Sequence, residues 1–178
     1  MSEATEDESF FLSAYGRWQL RRIRRAYSNV SGWHSPIRGY EGFIEELQWG
    51  LENLPPKVQA HAVHAILVTA FMGQIPVAAL TVVAGLFPRP MARVVTWITP
   101  AAFSYLVGPV VRTGGDALDI PKCRFVEEGG DRICLEVCQA PTQVFFERVN
   151  VPLAMEPNLE TFDCRWQYGR ETMRQENP

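Results

Sequence analysis

All four cysteines of this 178-residue chain lie in its C-terminal part, and no thiol precedes residue 123. Their spacing is C-x10-C-x3-C-x25-C: Cys123, Cys134, Cys138 and Cys164. Four thiolates form a complete ligand set for a tetrahedral metal ion or an iron–sulfur cluster. The spacing matches neither a zinc ribbon nor the common ferredoxins. Three interpretations therefore stand side by side, namely a shared metal centre, disulfides, or inert buried thiols.

The two central cysteines are four residues apart, so they share one face of a helix if this segment is helical. Asp131 is a suitable N-cap for that helix. The helix is expected to end at Gln139–Pro141, and Pro141 then begins another helix that runs to about Val149. A helix in this place would hold Cys134 and Cys138 ready for one centre.

Extended segments are expected to bring the outer two cysteines to the same place. The sequence predicts a strand over residues 117–126, which contains Cys123, and extended segments over 151–156 and 162–168, the last containing Cys164. Extended signals occur only beyond residue 116. We therefore expect a mainly α fold, a helical domain with a small α+β cysteine-bearing cap at its C-terminus.

Bulk composition bounds the class of protein. The net charge of −3 and the pI near 5.7 argue against general nucleic-acid binding. The acidic start, MSEATEDESF, has neither the basic region nor the apolar run of a signal peptide. We expect a chain that is not secreted, in the cytoplasm or, if a transit segment has been removed, in the plastid stroma. Disulfides are rare in such reducing compartments, which favours the metal interpretation.

The N-terminal unit is expected to cover residues 1–34. Residues 1–9 read as a solvated acidic tail, and Phe10–Tyr27 reads as an amphipathic helix with arginines opposite its aromatic residues. Two interpretations fit this helix: docking on the protein with a solvated basic face, or peripheral contact with a membrane surface.

The middle unit, residues 35–115, is unusually apolar. A helix is predicted from Gly39 to about Asn53, and from Val58 to Val111 the only formal charges are Arg89 and Arg93. Helices are predicted over 57–73 and 76–87, and a third from Met91 to Val107 with a break at Pro100. An all-helical core, a membrane hairpin and a tunnel for a long apolar ligand all agree with this pattern.

Several motifs resemble the plant and algal β-carotene isomerase family of the strigolactone pathway, from about Ser35 to Gly169. They are K-C-R-F-V-E-E, C-L-E-V-C-Q-A-P-T-Q-V-F-F, M-E-P-N and F-D-C-R-W-Q-Y-G, preceded in family order by G-Y-E-G at 39–42, F-P-R-P-M at 87–91 and L-V-G-P at 106–109. Plant members carry an extra cysteine in the turn that here reads Gly129-Gly130-Asp131. We therefore expect a bacterial or algal relative whose ligand set lacks that thiol, which leaves open whether substrate and activity carry over unchanged.

The resemblance implies an iron-containing isomerase that interconverts all-trans and 9-cis carotene. It assigns the metal to residues 116–178, with Cys123, Cys134, Cys138 and Cys164 as ligands of an iron–sulfur centre, most simply 4Fe–4S; zinc is the alternative metal. Four apolar side chains are candidates for the walls of a substrate slot: Phe145, Phe146, Met155 and Trp166. The sequence assigns no catalytic residue. The competing function is a non-catalytic, metal-stapled protein that binds an apolar ligand or a partner.

Overall fold

The computed structural model describes residues 6–72, 77–151 and 153–168. Over these ranges the protein is mainly α, with one small antiparallel sheet near the C-terminus, so the predicted fold class is confirmed. The helices of the N-terminal and middle parts are α1 (Glu6–Ser31), α2 (Gly39–Asn53), α3 (Pro56–Met72), α4 (Val77–Leu86) and α5 (Pro88–Val107).

The C-terminal part alternates strands with helices. Its elements are β1 (Val111–Arg112), β2 (Ala117–Ile120), α6 (Arg124–Arg132), a π-helix (Ile133–Gln139), α7 (Ala140–Arg148), β3 (Leu153–Asn158) and β4 (Asp163–Tyr168). The four strands are antiparallel in the order β1-β2-β4-β3. The two extended segments predicted around 151–156 and 162–168 are β3 and β4, whereas the short edge strand β1 was not predicted.

Helix α1 begins earlier than the sequence predicts. Residues 6–9, which we expected in the acidic tail, already belong to the helix, and residues 1–5 lie outside the described ranges. Ile23 and Tyr27 are fully buried, and the Tyr27 hydroxyl donates to Gln59 Oε1 of α3 over 2.8 Å. α1 is therefore part of the helical core.

A buried ion pair fastens α1 to α2. The Arg24 guanidinium donates to both carboxylate oxygens of Glu46, at 2.7 to 3.2 Å, and also to the carbonyls of Ser35 and Gly39. The Ser35 N–H and His34 Nδ1 also lie 3.2 and 2.6 Å from Glu46 Oε1. Buried charges are tolerated when they are paired and hydrogen-bonded in this way.

The predicted helices of the middle unit are confirmed, but the break at Pro100 is wrong. α5 continues through Pro100 without interruption. Proline removes one backbone donor from a helix, and tertiary contacts on the buried face of α5 offset that loss. Thr99 hydrogen-bonds the Tyr168 hydroxyl at 2.9 Å, and Phe103 packs edge-on against Trp166. No helix within the described ranges is long and apolar enough to cross a membrane.

The segment that carries the first three cysteines is more helical than predicted. The strand expected over 117–126 ends at Ile120, and Arg124 begins α6, where the Arg124–Glu128 pair at i, i+4 supports the helix. At Gly130 the chain kinks, with φ of 79°. The predicted stop at Gln139–Pro141 is also wrong, because the π-helix leads directly into α7.

Candidate metal centre

Separate structural elements deliver the four thiols. Cys123 is the residue before α6, Cys134 and Cys138 lie in the π-helix, and Cys164 lies in β4. All four are free thiols, so the structure contains no disulfide bond between them. Each residue is only 3 to 8% exposed. The fold thus buries four nucleophilic groups that are far apart in sequence.

The four thiols lie close enough to influence one another electrostatically. Burial is the main cause that raises the pKa of Cys138, and Cys123, Cys134 and Cys164 each raise it further. The pKa of Cys164 is in turn raised by Cys123 and Cys134, and that of Cys134 by Cys123. Each of the six pairs therefore contributes to a raised pKa, so the four thiols lie in one neighbourhood of the fold, which we call the cysteine cluster.

Burial also keeps these thiols protonated when no metal is bound. It raises the pKa of Cys134 to about 11 and that of Cys164 to about 12, and it raises the pKa of Cys123 above its usual value of 9.0. A buried thiolate without a counter-charge is costly, and a bound cation reverses that preference. The cluster is therefore poised to release protons when it binds metal.

Several N–H groups already point at the sulfurs. The Trp166 indole Nε1 donates to Cys164 Sγ over 3.2 Å, and the backbone N–H groups of Phe125 and Val126 hydrogen-bond the Cys123 thiol and oppose the rise of its pKa. Such donors stabilise negative charge on sulfur, and in cysteine-ligated centres they tune the metal.

The π-helix sets the position of the central pair. Its hydrogen bonds span five residues, as the Ala140 N–H to Leu135 carbonyl bond does at its end. The wider turn replaces the α-helix that was predicted around Cys134 and Cys138, so their shared face does not have α-helical geometry. π-Helical turns are rare and occur frequently at functional sites.

Close backbone packing fixes the first cysteine. The Cys123 N–H donates to the Phe162 carbonyl over 2.5 Å, which ties Cys123 to the turn just before β4. Gly108, in the L-V-G-P motif, has φ of 97°, and a Cβ there would lie 2.7 Å from the Lys122 carbonyl oxygen. Glycine is therefore needed at position 108 to let the end of α5 approach the cysteine segment.

Tyr40, in the G-Y-E-G motif, is a neighbour of the cluster that residue-level reasoning did not select. Its hydroxyl donates to the Leu106 carbonyl over 2.7 Å, and the Arg124 guanidinium lies 3.7 Å above its ring. Burial raises the pKa of Tyr40, with Cys123 and Cys138 among the further contributions. The motif resemblance at residues 39–42 was the available signal for this site.

Of the predicted slot residues, Trp166 contacts a thiol, and none of the four lines the cavity beside Cys138. Trp166 donates to Cys164, and Met155 is the cross-strand partner of Trp166. The rings of Phe145 and Phe146 pack edge-on, with their centroids 5.7 Å apart. All four are at most 5% exposed. An apolar cavity next to Cys138 measures about 20 Å³, room for about one water molecule. Their role as a substrate slot stays a prediction.

The donor chemistry and the geometry give different answers about a metal. Four soft sulfur ligands with N–H donors around them suit iron–sulfur or zinc. Within the described ranges, no three or more His, Cys, Asp or Glu side chains are arranged as a group that could hold a metal ion. The side chains would therefore have to draw closer on binding, and the four-cysteine ligand set stays a prediction.

Fold and site together define a mainly α protein with a buried cluster of four thiols between its helices and a small sheet. Residues 106–177, which include the whole cluster, match the family model "Beta-carotene isomerase D27-like, C-terminal". Over 94% of its length the chain is 25% identical to the chloroplastic β-carotene isomerase D27 of Arabidopsis thaliana, of which it covers 66%, slightly less than two thirds. No solved structure matches the chain. The C-terminal part of the chain is thus similar to the D27-like family, and the chain spans slightly less than two thirds of the length of the curated relative that it matches.

Proposed function

We propose that this protein is a carotenoid cis/trans isomerase that interconverts the all-trans and 9-cis forms of a carotene. The observation that carries the proposal is the burial of four thiols, which raise one another's pKa, inside the region that matches the D27-like C-terminal model. Similarity to the family supports the reaction class, and the relative's printed name supports β-carotene as the first substrate to try.

The centre that we propose is iron held by Cys123, Cys134, Cys138 and Cys164, most simply as an iron–sulfur cluster. When bound, such a centre supplies reversible one-electron exchange, which can lower the bond order of a polyene without net oxidation or reduction. The chain's own part is to keep water away from the sulfurs and to stabilise their charge. Trp166 and the backbone N–H groups of Phe125 and Val126 serve the second purpose.

The substrate must come close to this cluster. Carotenes are apolar, and the candidate slot residues are buried aromatic or aliphatic side chains, of which Trp166 contacts a thiol: Phe145, Phe146, Met155 and Trp166. We propose that the apolar residues around the cluster separate to admit one end of the polyene, because the cavity beside Cys138 is too small for it. We further propose a stromal or cytoplasmic site of action with peripheral membrane contact, in which the basic face of α1 meets lipid headgroups without inserting into the membrane.

The direct test uses protein purified without oxygen and all-trans or 9-cis β-carotene in detergent micelles. The wild type should shift the isomer ratio towards the same equilibrium from either side. Cys138→Ser should lose both iron and isomerisation. Leu135→Ala, an exposed residue of the same π-helix, should keep both. Full activity in Cys138→Ser would contradict the four-cysteine centre, and an inactive wild type with bound iron would contradict the isomerase.

The complete burial of the thiols favours a second candidate function. A metal held by four enclosed cysteines can simply stabilise a domain that binds an apolar ligand or a partner. Under this function the purified protein is colourless with zinc, binds carotene without changing its isomer ratio, and unfolds when the zinc is removed. Visible absorption and isomer analysis on the same sample distinguish the two functions.

A further inference from the structure

The hairpin of α4 and α5 exposes an apolar surface that no described residue covers. In α4 (VAALTVVAGL), Thr81 is the one polar residue, and Ala84 is the one buried side chain among those described. Leu86 and Phe87, at the junction with α5, are 69 and 59% exposed. We name this the hairpin surface, and its members are Val82, Val83, Leu86, Phe87, Val94 and Trp97.

The exposed residues of α5 continue the surface along one side. Pro90, Val94, Trp97 and Ala101 are exposed at helical spacing, and Trp97 is 67% exposed. A contiguous apolar surface of this kind on a small domain marks a binding site. The hairpin surface extends over two adjacent helices, whereas the apolar side chains on an ordinary protein surface are exposed singly.

The charges near the surface have one sign. No carboxylate occurs between Glu52 and Asp116, and Arg89 and Arg93 are the only charged residues from Val58 to Val111. No described carboxylate forms an ion pair with Arg93. Apolar side chains with an interfacial tryptophan and arginines, but without acids, suit an anionic lipid surface.

We infer that the hairpin surface inserts into one leaflet of a membrane with anionic lipids. The ten residues of α4 extend over about 15 Å, a length suited to lying in the interface. Arg93 then meets lipid phosphates while Leu86 and Phe87 enter the acyl region. α1 does not present such a surface, because Leu20, Ile23 and Tyr27 are buried and the exposed Trp18 lies under Arg22.

The position of α5 relates membrane docking to the cysteine cluster, and this step of the inference rests on the proposed function. One side of α5 carries Trp97 outwards, while Thr99 and Phe103 contact Tyr168 and Trp166 on the inside. Trp166 in turn donates to Cys164. Since a helix is about 10–12 Å across, a carotene that dissolves in the membrane at the hairpin surface is one helix away from the thiols.

The test is flotation of the full chain with vesicles that contain no carotene, so its outcome does not depend on isomerase activity. Vesicles contain phosphatidylcholine alone or with about a third of phosphatidylglycerol. The wild type should float with the anionic vesicles, and Leu86→Glu/Phe87→Glu should reduce partitioning by at least about tenfold. The matched control is Leu135→Glu/Val144→Glu, which places the same two charges at exposed apolar residues elsewhere. Circular dichroism checks that each variant is folded.

A second measurement reports which tryptophan enters the lipid. Brominated lipids should quench the wild type, and Trp97→Phe should remove most of this quenching, whereas Trp18→Phe should not. The inference is overturned if the hairpin variant floats like the wild type, or if Trp18 is the residue that is quenched. It is also overturned if the wild type ignores vesicles and forms a dimer that Leu86→Glu/Phe87→Glu dissociates. A chain that floats but does not isomerise carotene contradicts the proposed function alone.

Discussion

Two buried polar sites, one in each half of the chain, differ in how completely the protein satisfies them. At the junction of α1 and α2, Arg24 and Glu46 are paired with each other and bonded to backbone groups of Ser35 and Gly39. In the cysteine cluster, burial raises the pKa values of four thiols, and no lysine or arginine in the described part of the chain offsets that rise. At the first site, groups of the chain itself neutralise and hydrogen-bond both charges. At the second site, N–H donors face sulfurs that are neutral thiols as long as no cation is bound.

The difference teaches how to separate a structural polar network from a ligand site. A structural network keeps its charged forms because opposite charges and hydrogen bonds offset desolvation. A ligand site keeps its groups neutral until a cation arrives, and it already holds N–H groups for the charged form, as Trp166 does for Cys164. On this criterion the cysteine cluster is the candidate ligand site, and the Arg24–Glu46 pair is a structural network.

The largest expected effect is the loss of stability on metal removal, which should act on the cysteine cluster and not on the Arg24–Glu46 pair. Anaerobic treatment with a chelator should lower the free energy of unfolding by at least about 5 kcal/mol, because the energy of metal binding contributes to folding. Urea unfolding of loaded and stripped protein measures this difference. If stripped and loaded protein unfold at the same urea concentration, the cluster is not a stabilising metal centre.

The second largest loss of stability is expected when the Arg24–Glu46 ion pair is broken. Glu46→Gln leaves the Arg24 charge buried and unpaired, and we expect a loss of about 3 kcal/mol in both the loaded and the stripped protein. Glu41→Gln, an exposed position of the same helix, should change stability by less than about 0.5 kcal/mol. Loss of iron from folded Glu46→Gln would show that the two sites are coupled, against the comparison made above.

A smaller effect is expected from the indole donor. Trp166→Phe removes the N–H bond to Cys164 and should weaken metal affinity by about 10- to 100-fold, as competition with a chelator would measure. Phe103→Leu perturbs the packing beside Trp166 but keeps the indole N–H, and it should leave the affinity nearly unchanged. Equal weakening in both variants would mean that packing, rather than the hydrogen bond, is responsible.

The pH dependence of the metal-free protein should show the smallest effect. The folded state raises the pKa of Cys134 to about 11, so it favours the protonated thiol. This stabilisation is fully present below pH 9 and is lost as the pH rises towards 11. Cys134→Val should therefore lose less stability than the wild type between pH 9 and 11 in parallel urea titrations. An identical pH dependence in both proteins would contradict the raised pKa.

Much of the fold could be predicted because it depends on local patterns. Apolar periodicity and the prolines at 55, 56 and 88 located α2 to α5, and alternating segments located β3 and β4. Tertiary contacts decided the remainder. Pro100 stays helical because the buried face of α5 contacts Tyr168 and Trp166 on either side of it. The π-helix around Cys134 and Cys138 comes after the kink at Gly130, and periodicity reveals neither feature.

The site was predictable in its residue types and less so in its surroundings. Four cysteines confined to one segment are recognisable in the sequence as candidate ligands, and the family motifs support that interpretation. The partners of Arg24, the position of Tyr40 beside the thiols and the bond from Trp166 depend on residues far apart in sequence. Pair contacts of this kind leave no periodic signal in a single sequence.

The central claim is that Cys123, Cys134, Cys138 and Cys164 hold an iron centre that isomerises carotene. One oxygen-free preparation should be divided to measure iron, acid-labile sulfide and the change in the all-trans to 9-cis ratio of β-carotene, with Cys138→Ser prepared in parallel. The account predicts iron with sulfide and an isomer shift in the wild type, and the loss of all three in the variant. A wild type without iron that still shifts the isomer ratio, or a variant that keeps iron and activity, would contradict it.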